Sequence, residues 1–99
     1  MPSFWLEHNE NGQTRQFSFQ SASVSIGREK TSDFVLDHPT VSRKHAIIVH
    51  KHGSFYLVVL SQSGLTALNG QPVQGEVPLY DATTLHVGQL EFRFRSNEA

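Results

Sequence analysis

The 99-residue chain contains no cysteine. Disulfide-stapled secreted scaffolds, cysteine-rich zinc sites and cysteine nucleophiles are therefore excluded, and a cytoplasmic setting fits. The chain also has little net charge. Its eight Lys and Arg residues and nine Asp and Glu residues give a formal net charge of -1. A nucleic-acid binder would have a basic excess, so no nucleic-acid partner is predicted.

Long hydrophobic runs are also absent. The longest, residues 55–60, has six residues, about a third of what a bilayer span requires. The N-terminus lacks the basic and apolar regions of a signal peptide. We therefore expect no membrane association, one domain over residues 1–99, and a frayed tail at residues 96–99.

Apolar and polar residues alternate with a period of two, which is the pattern of half-buried β-strands. The clearest case is residues 90–95, in which apolar and charged side chains strictly alternate. Residues 16–20, 23–26 and 85–87 show the same pattern over shorter stretches. No segment has the apolar stripe of a helix, so an all-β chain is predicted.

Two denser apolar runs, residues 46–49 and 55–60, are separated by a turn signal at residues 52–54 and predict a hairpin in the middle of a sheet. Turn-forming residues recur at short intervals along the chain. They are Asn11-Gly12, Gly27, Asp37-His38-Pro39, Gly53, Ser63-Gly64, Asn69-Gly70, Gly75, Pro78 and Gly88. Short strands at this spacing predict a sandwich or barrel, with functional residues in the loops.

Positive charge is concentrated in two of these loops. Arg28 and Lys30 follow one predicted strand, and Arg43 and Lys44 precede another. Beside two of these cations, Ser42 adds a hydroxyl, a combination that suits a compact multivalent anion such as phosphate. The alternative is that these are ordinary solvated charges paired with acidic neighbours.

Three motifs in a fixed order support the phosphate interpretation. Gly27-Arg28 is followed by Ser42-Arg43-Lys44-His45 and then by Asn69-Gly70. The combination resembles the signature of the forkhead-associated (FHA) domain, a phosphothreonine-binding β-sandwich, and the resemblance runs from about residue 24 to residue 94. It implies two twisted antiparallel sheets whose loops at one end bind a phosphorylated peptide, without catalysis and without a cofactor.

The resemblance also implies the residues that contact the phosphopeptide. Arg28 matches the arginine that holds the phosphate, and Ser42 matches the serine whose hydroxyl bonds a phosphate oxygen. Arg43 and Lys44 add positive charge, and Ser63 falls where a small polar residue often contacts the phosphate. Three charge-assisted hydrogen bonds, less the cost of ordering the peptide, predict micromolar affinity, about 8 kcal/mol.

Other matched residues are expected to support the site. The resemblance makes His45 a structural brace of the loop rather than a catalytic base, and Gly27 lets the backbone turn at the end of a strand. Thr66 is retained from the family motif. Asn69 and Gly70 predict a tight turn, with direct ligand contact by Asn69 as the alternative.

The chain departs from the family pattern at one point. Family members typically carry Asn-Gly-Thr where this chain has Gly64, Leu65 and Thr66. The asparagine that commonly bonds the peptide backbone is thus missing, and Leu65 replaces a glycine where the chain needs a positive φ. Two hypotheses remain: a phosphothreonine-dependent module that serves a Ser/Thr kinase or its substrates, and an FHA-like scaffold that binds a protein independently of phosphate.

Catalysis and metal binding have little support in the sequence. No nucleophile, base and orienting acid fall into a recognisable arrangement, so no enzyme is expected. His50 and His52 lie two residues apart but lack a third ligand, so no metal site is predicted.

Overall fold

Eleven β-strands make up the regular structure of residues 2–62 and 65–97, the part of the chain that the computed structural model describes. They are β1 (Phe4–Glu10), β2 (Gln13–Phe19), β3 (Ser23–Gly27), β4 (Phe34–Val35), β5 (Ala46–Lys51), β6 (Ser54–Val59), β7 (Thr66–Leu68), β8 (Gln71–Pro72), β9 (Gly75–Leu79), β10 (Thr83–Val87) and β11 (Leu90–Ser96). Ser63 and Gly64, both expected at the phosphopeptide, lie outside the described residues.

The strands form two sheets, in the spatial orders β2-β1-β11-β10-β7-β8 and β4-β3-β5-β6-β9. The all-β sandwich prediction is confirmed. So is the mid-sheet hairpin of β5 and β6, which turns at His52 and Gly53, both with positive φ. Within the described residues the pairing differs from the expectation once, because β4 runs parallel to β3 instead of antiparallel.

Aromatic rings fill the space between the two sheets. Phe4 on β1 meets Phe55 on β6 edge-on, with ring centroids 5.5 Å apart. Phe34 on β4 meets Phe92 on β11 at 5.6 Å in the same manner. Phe92 and Phe94 are buried while Glu91 and Arg93, which alternate with them, are exposed, as the pattern in β11 predicts.

Strand β1 is present although the sequence pattern did not indicate it. Phe4 and Leu6 point into the core, and Trp5 and Glu7 lie on the outer face. The Trp5 indole donates to the Glu7 carboxylate, and its ring packs against the Arg95 guanidinium. Because Trp5 is apolar but faces outward, apolar and polar residues do not alternate at the start of β1, and the pattern does not predict this strand.

The C-terminal end of the sandwich extends further than expected. Ser96, which the sequence predicts to belong to the frayed tail, is the last residue of β11, pairs with Phe4 and is 8% exposed. Its N–H donates to the Asp81 carboxylate at 2.9 Å, and the Arg95 side chain donates to the same oxygen. These two bonds lower the pKa of Asp81. Pairing with β1 thus orders a residue whose own sequence gives no strand signal.

The interpretation of Pro78 as a turn residue is also wrong, because Pro78 lies within β9; Gly75, the first residue of β9, has a positive φ of 68°. β9 is the edge strand of the second sheet. Proline, which cannot donate a backbone hydrogen bond, is tolerated at such an edge.

Replacing Phe4 with alanine tests the missed strand. Phe4→Ala should lower the free energy of unfolding by about 3–5 kcal/mol, because it leaves a cavity among core rings. Trp5→Ala, on the outer face of the same strand, is the matched control and should cost clearly less. Urea unfolding of both variants measures the difference. Equal losses would contradict the assignment of Phe4 to the core.

Candidate functional site

A cleft of about 390 Å³ opens at one end of the sandwich, between the loops that follow β3, precede β5 and precede β7, and the turn between β10 and β11. The lining residues are Arg28, Pro39, Thr40, Val41, Ser42, Leu65, Gly88 and Gln89. Arg28 and Ser42, the two residues predicted to hold the phosphate, therefore line the same cleft.

Backbone hydrogen bonds bring Arg28 and Ser42 together. The Arg28 N–H donates to the Ser42 carbonyl at 3.0 Å, and the Glu29 N–H donates to the Arg43 carbonyl at 3.2 Å. A Cβ on Gly27 would overlap the Arg43 carbonyl oxygen. The two loops can pack this closely only because position 27 has no side chain.

The Ser42 hydroxyl has a partner that the sequence did not suggest. Its Oγ is hydrogen-bonded to the Ser61 Oγ at 2.6 Å. The backbone N–H groups of Leu60 and Ser61 both donate to the His45 carbonyl, at 2.9 and 3.0 Å. The loop after β6 is thus tied to the loop before β5, and Ser61 orients the hydroxyl of Ser42 at the cleft.

Arg43 and Lys44 do not line this cleft. Lys44 lines a separate pocket of about 180 Å³, whose other lining residues include Glu29, Ile47 and Leu60. Arg43 is exposed and lines neither the cleft nor this pocket. Of the four cations in the two loops, Arg28 therefore lines the cleft, whereas Lys44 borders the second pocket.

His45 is fully buried between these loops. Its Nδ1 accepts from the Ser42 N–H at 3.0 Å, so Nε2 carries the proton and donates to the Thr66 Oγ1 at 2.8 Å. Burial lowers the pKa of His45, and a backbone hydrogen bond to Leu65 opposes this effect. Only the neutral ring can make both bonds at once, because a protonated Nδ1 could not accept from the Ser42 N–H.

Thr40 closes the other side of the cleft, and no sequence signal marked it. Its Oγ1 accepts from the Gln89 N–H at 2.9 Å and donates to the His38 Nδ1 at 2.7 Å. Gly88, which the sequence marks as a turn residue, lies against the backbone of Thr40. A Cβ at Gly88 would be only 2.5 Å from the Thr40 carbonyl oxygen. The turn between β10 and β11 is thereby fixed to the loop before β5.

Asn69 and Gly70 form the predicted tight turn, with φ values of 50° and 82°. The Asn69 side-chain oxygen accepts from the Thr84 N–H, and the Asn69 N–H donates to the Thr84 carbonyl. Asn69 does not line the cleft. The turn thus joins β7 to β8 and fastens them to β10.

Residues 2–62 and 65–97 contain no group of three or more His, Asp and Glu side chains placed to hold a metal ion. His50 packs edge-on against Phe55, and His52 lies in the hairpin turn. In the same part of the chain, no helix is long and apolar enough to cross a membrane.

An arginine and a serine line a cleft between the end loops of a β-sandwich, a combination of side chains suited to an anionic group. The sequence model of the FHA domain matches residues 24–88. The chain belongs to the FHA domain family, a family of phosphothreonine-dependent interaction modules. The resemblance predicted from the motifs is confirmed.

Three relatives illustrate the similarity. The transcriptional regulatory protein EmbR of Mycobacterium tuberculosis is 31% identical over 81 residues, which cover 82% of this chain and 21% of EmbR. The structure of EmbR in complex with a low-affinity phosphopeptide superposes with a TM-score of 0.87 at 28% identity, covering 99% of this chain and 25% of that one. The glycogen accumulation regulator GarA of Mycolicibacterium smegmatis is 32% identical over 79 residues, covering 80% of this chain and 49% of GarA.

The third relative is a solved structure from work on phosphothreonine-dependent FHA domain interactions. It superposes with a TM-score of 0.83 at 29% identity, covering 98% of this chain and 99% of that one. The chain spans about a fifth of EmbR and about half of GarA.

Replacing His45 with alanine tests the hydrogen-bond network. At pH 7.5, His45→Ala should lower the free energy of unfolding by about 2–4 kcal/mol, because the Ser42 N–H and the buried Thr66 hydroxyl lose their partner. The difference between parent and variant should shrink as the pH falls below 6.5, the ordinary pKa of histidine. The lowered pKa means that the unfolded chain binds the proton more readily, so this contribution is complete above that pH and lost below it.

Urea unfolding from pH 5 to pH 7.5 measures this difference, and the remaining histidines cancel because both proteins carry them. Thr66→Val, which removes only the hydroxyl, is the matched control and should cost about 1–2 kcal/mol. A parent-to-variant difference that stays constant with pH would contradict the account of His45.

Proposed function

We propose that this domain binds phosphothreonine-containing proteins and that Arg28 and Ser42 hold the phosphate in the cleft. The observation that carries the proposal is the position of the Arg28 and Ser42 side chains in one cleft, whose described lining includes no carboxylate. The alternative in which acidic neighbours neutralise Arg28 within the cleft therefore has no support from this lining.

The chemistry of the two side chains matches a phosphate monoester. Phosphothreonine carries nearly two negative charges at neutral pH and offers three acceptor oxygens. A guanidinium can donate two parallel hydrogen bonds to such a group, and a serine hydroxyl can donate a third. Arg28 is exposed, so it can reach a ligand from solvent. Family membership supports phosphothreonine as the modified residue.

The remaining predicted contacts have lesser roles in this proposal. Arg43 and Lys44 add positive charge near the cleft, which speeds the encounter with a phosphorylated partner without holding the phosphate. Ser63 and Gly64 are included as phosphopeptide contacts on the family resemblance alone. Gly27, His45, Thr66, Asn69 and Gly70 support the backbone around the cleft.

The wider role we propose is regulatory and non-catalytic, carried out by one domain that spans residues 1–99. EmbR is a transcriptional regulator and GarA is a regulator of glycogen accumulation, and these names support a signalling role. The partner would be a protein phosphorylated by a Ser/Thr kinase, or such a kinase itself. A cytoplasmic location is part of the same proposal.

Replacing Arg28 tests the phosphate contact. Arg28→Ala should weaken binding to a phosphothreonine peptide at least about tenfold, because charge-assisted hydrogen bonds contribute about 1.5–3 kcal/mol each. Ser42→Ala should weaken binding less. Calorimetric titration with a degenerate phosphothreonine peptide library, repeated with its unphosphorylated counterpart, gives both affinities.

Arg93→Ala, an exposed arginine on β11 away from the cleft, is the matched control and should bind like the parent. The melting temperature of Arg28→Ala should equal that of the parent, since an exposed side chain is removed. Full affinity in Arg28→Ala would place the site elsewhere. Equal binding of the unphosphorylated library would instead favour the phosphate-independent scaffold.

A further inference from the structure

Strand β2 forms one edge of the first sheet, and in the part of the chain that the structure describes it pairs with β1 alone. It is seven residues long, mostly exposed, and contains neither proline nor lysine. An edge strand presents free N–H and C=O groups with which a further strand can pair, so proteins usually shorten such edges or place proline or lysine in them. None of these protections is present in β2.

The edges formed by β4, β8 and β9 are protected. β4 and β8 have two residues each, and β8 ends in Pro72. β9 contains Pro78, and its Glu76 forms an ion pair with Lys51 of the neighbouring strand β5. Among the described edges, β2 therefore offers the longest stretch of backbone for pairing.

The turn between β1 and β2 determines which backbone groups of β2 face outward. Asn11 and Gly12 have φ values of 53° and 78° and connect the paired residues Glu10 and Gln13, which is the geometry of a two-residue hairpin. In such a hairpin the pair next to the turn is hydrogen-bonded, and bonded pairs alternate with non-bonded pairs along the ladder. The residues whose N–H and C=O groups point away from β1 are therefore Thr14, Gln16 and Ser18.

This outward-facing set is symmetric about Gln16. When two copies of β2 lie antiparallel with Gln16 opposite Gln16, each Thr14 lies opposite a Ser18 of the other copy. All three outward-facing residues then meet outward-facing residues, which allows about six main-chain hydrogen bonds, two at each pair. The side chains on this face form an amide pair flanked by two hydroxyl pairs, a combination that stabilises neighbouring strands. The partner that fits this edge is thus a second copy of the same strand.

The charged side chain of β2 is compatible with this register. The Arg15 guanidinium lies 3.6 Å from the Glu10 carboxylate and 5.5 Å from the centre of the Phe17 ring. In the symmetric register Arg15 lies opposite Phe17 of the second copy, where a further cation–π contact can form. A register shifted by two residues would instead place Arg15 opposite Arg15, and like charges directly opposite each other are destabilising.

We propose that two copies of this chain associate through β2, as an antiparallel pair that joins their first sheets into one continuous sheet. The two-fold axis passes between the two Gln16 residues. No residue of β2 lines the cleft that contains Arg28 and Ser42, so this cleft stays open in both copies. Because the pairing needs no ligand, the inference stands apart from the proposed function.

A charge pair placed at the two-fold axis tests this association. Sedimentation equilibrium over a concentration series up to about 1 mM should show the mass of the parent rising from 11.1 kDa toward twice that value. Gln16→Lys and Gln16→Glu should each weaken self-association at least about tenfold, because each places two like charges opposite one another. An equimolar mixture of the two variants should associate at least as tightly as the parent, since opposite charges then meet.

Gln71→Lys, at an exposed residue of the edge strand β8, is the matched control and should dimerise like the parent. A parent that stays at 11.1 kDa over the whole series would overturn the proposal. Dimerisation retained by both charge variants would also overturn it, because the interface would then lie elsewhere. Variants that remain monomeric when mixed would contradict the two-fold register, since damage to the strand, unlike like-charge repulsion, is not relieved by mixing.

Discussion

The hydrogen bonds of one buried residue, His45, hold the candidate site together. The ring accepts from one loop and donates to β7, and the main chain of the same residue bonds to β3 and to the loop after β6. The partners in these bonds are Ser42, Thr66, Ile26, Leu60 and Ser61. A buried polar side chain is costly unless its hydrogen bonds are satisfied, and here all of them serve to position binding loops. The geometry of the cleft therefore depends on a neutral, correctly protonated imidazole.

Close backbone contact is the second constraint on the site. Gly27 and Gly88 each face a carbonyl oxygen of the loop before β5, that of Arg43 and that of Thr40, where a side chain would collide. The loop that contains Thr40 and Ser42 thus packs closely against both glycines. Binding residues on loops are useful only when a rigid scaffold positions them, and the sandwich supplies that scaffold through these two contacts.

Local patterns in the sequence predicted the elements whose burial follows strict alternation, such as β11 and the hairpin of β5 and β6. They missed β1, because Trp5 is apolar yet faces outward, and β9, because Pro78 is accommodated at a sheet edge. Motif order predicted Arg28 and Ser42. The contribution of Thr40 arises from a contact between loops distant in sequence, so no local pattern could indicate it.

The central claim is that a phosphorylated ligand occupies the cleft between these loops. The most direct measurement is heteronuclear NMR of the labelled domain during titration with a phosphothreonine peptide and with its unphosphorylated counterpart. The account predicts that the largest amide shift changes fall on Arg28, Ser42, Leu65 and Gln89, and that they require the phosphate. Shift changes centred on the strands of the second sheet, such as β6 and β9, or the same changes with the unphosphorylated peptide, would contradict it.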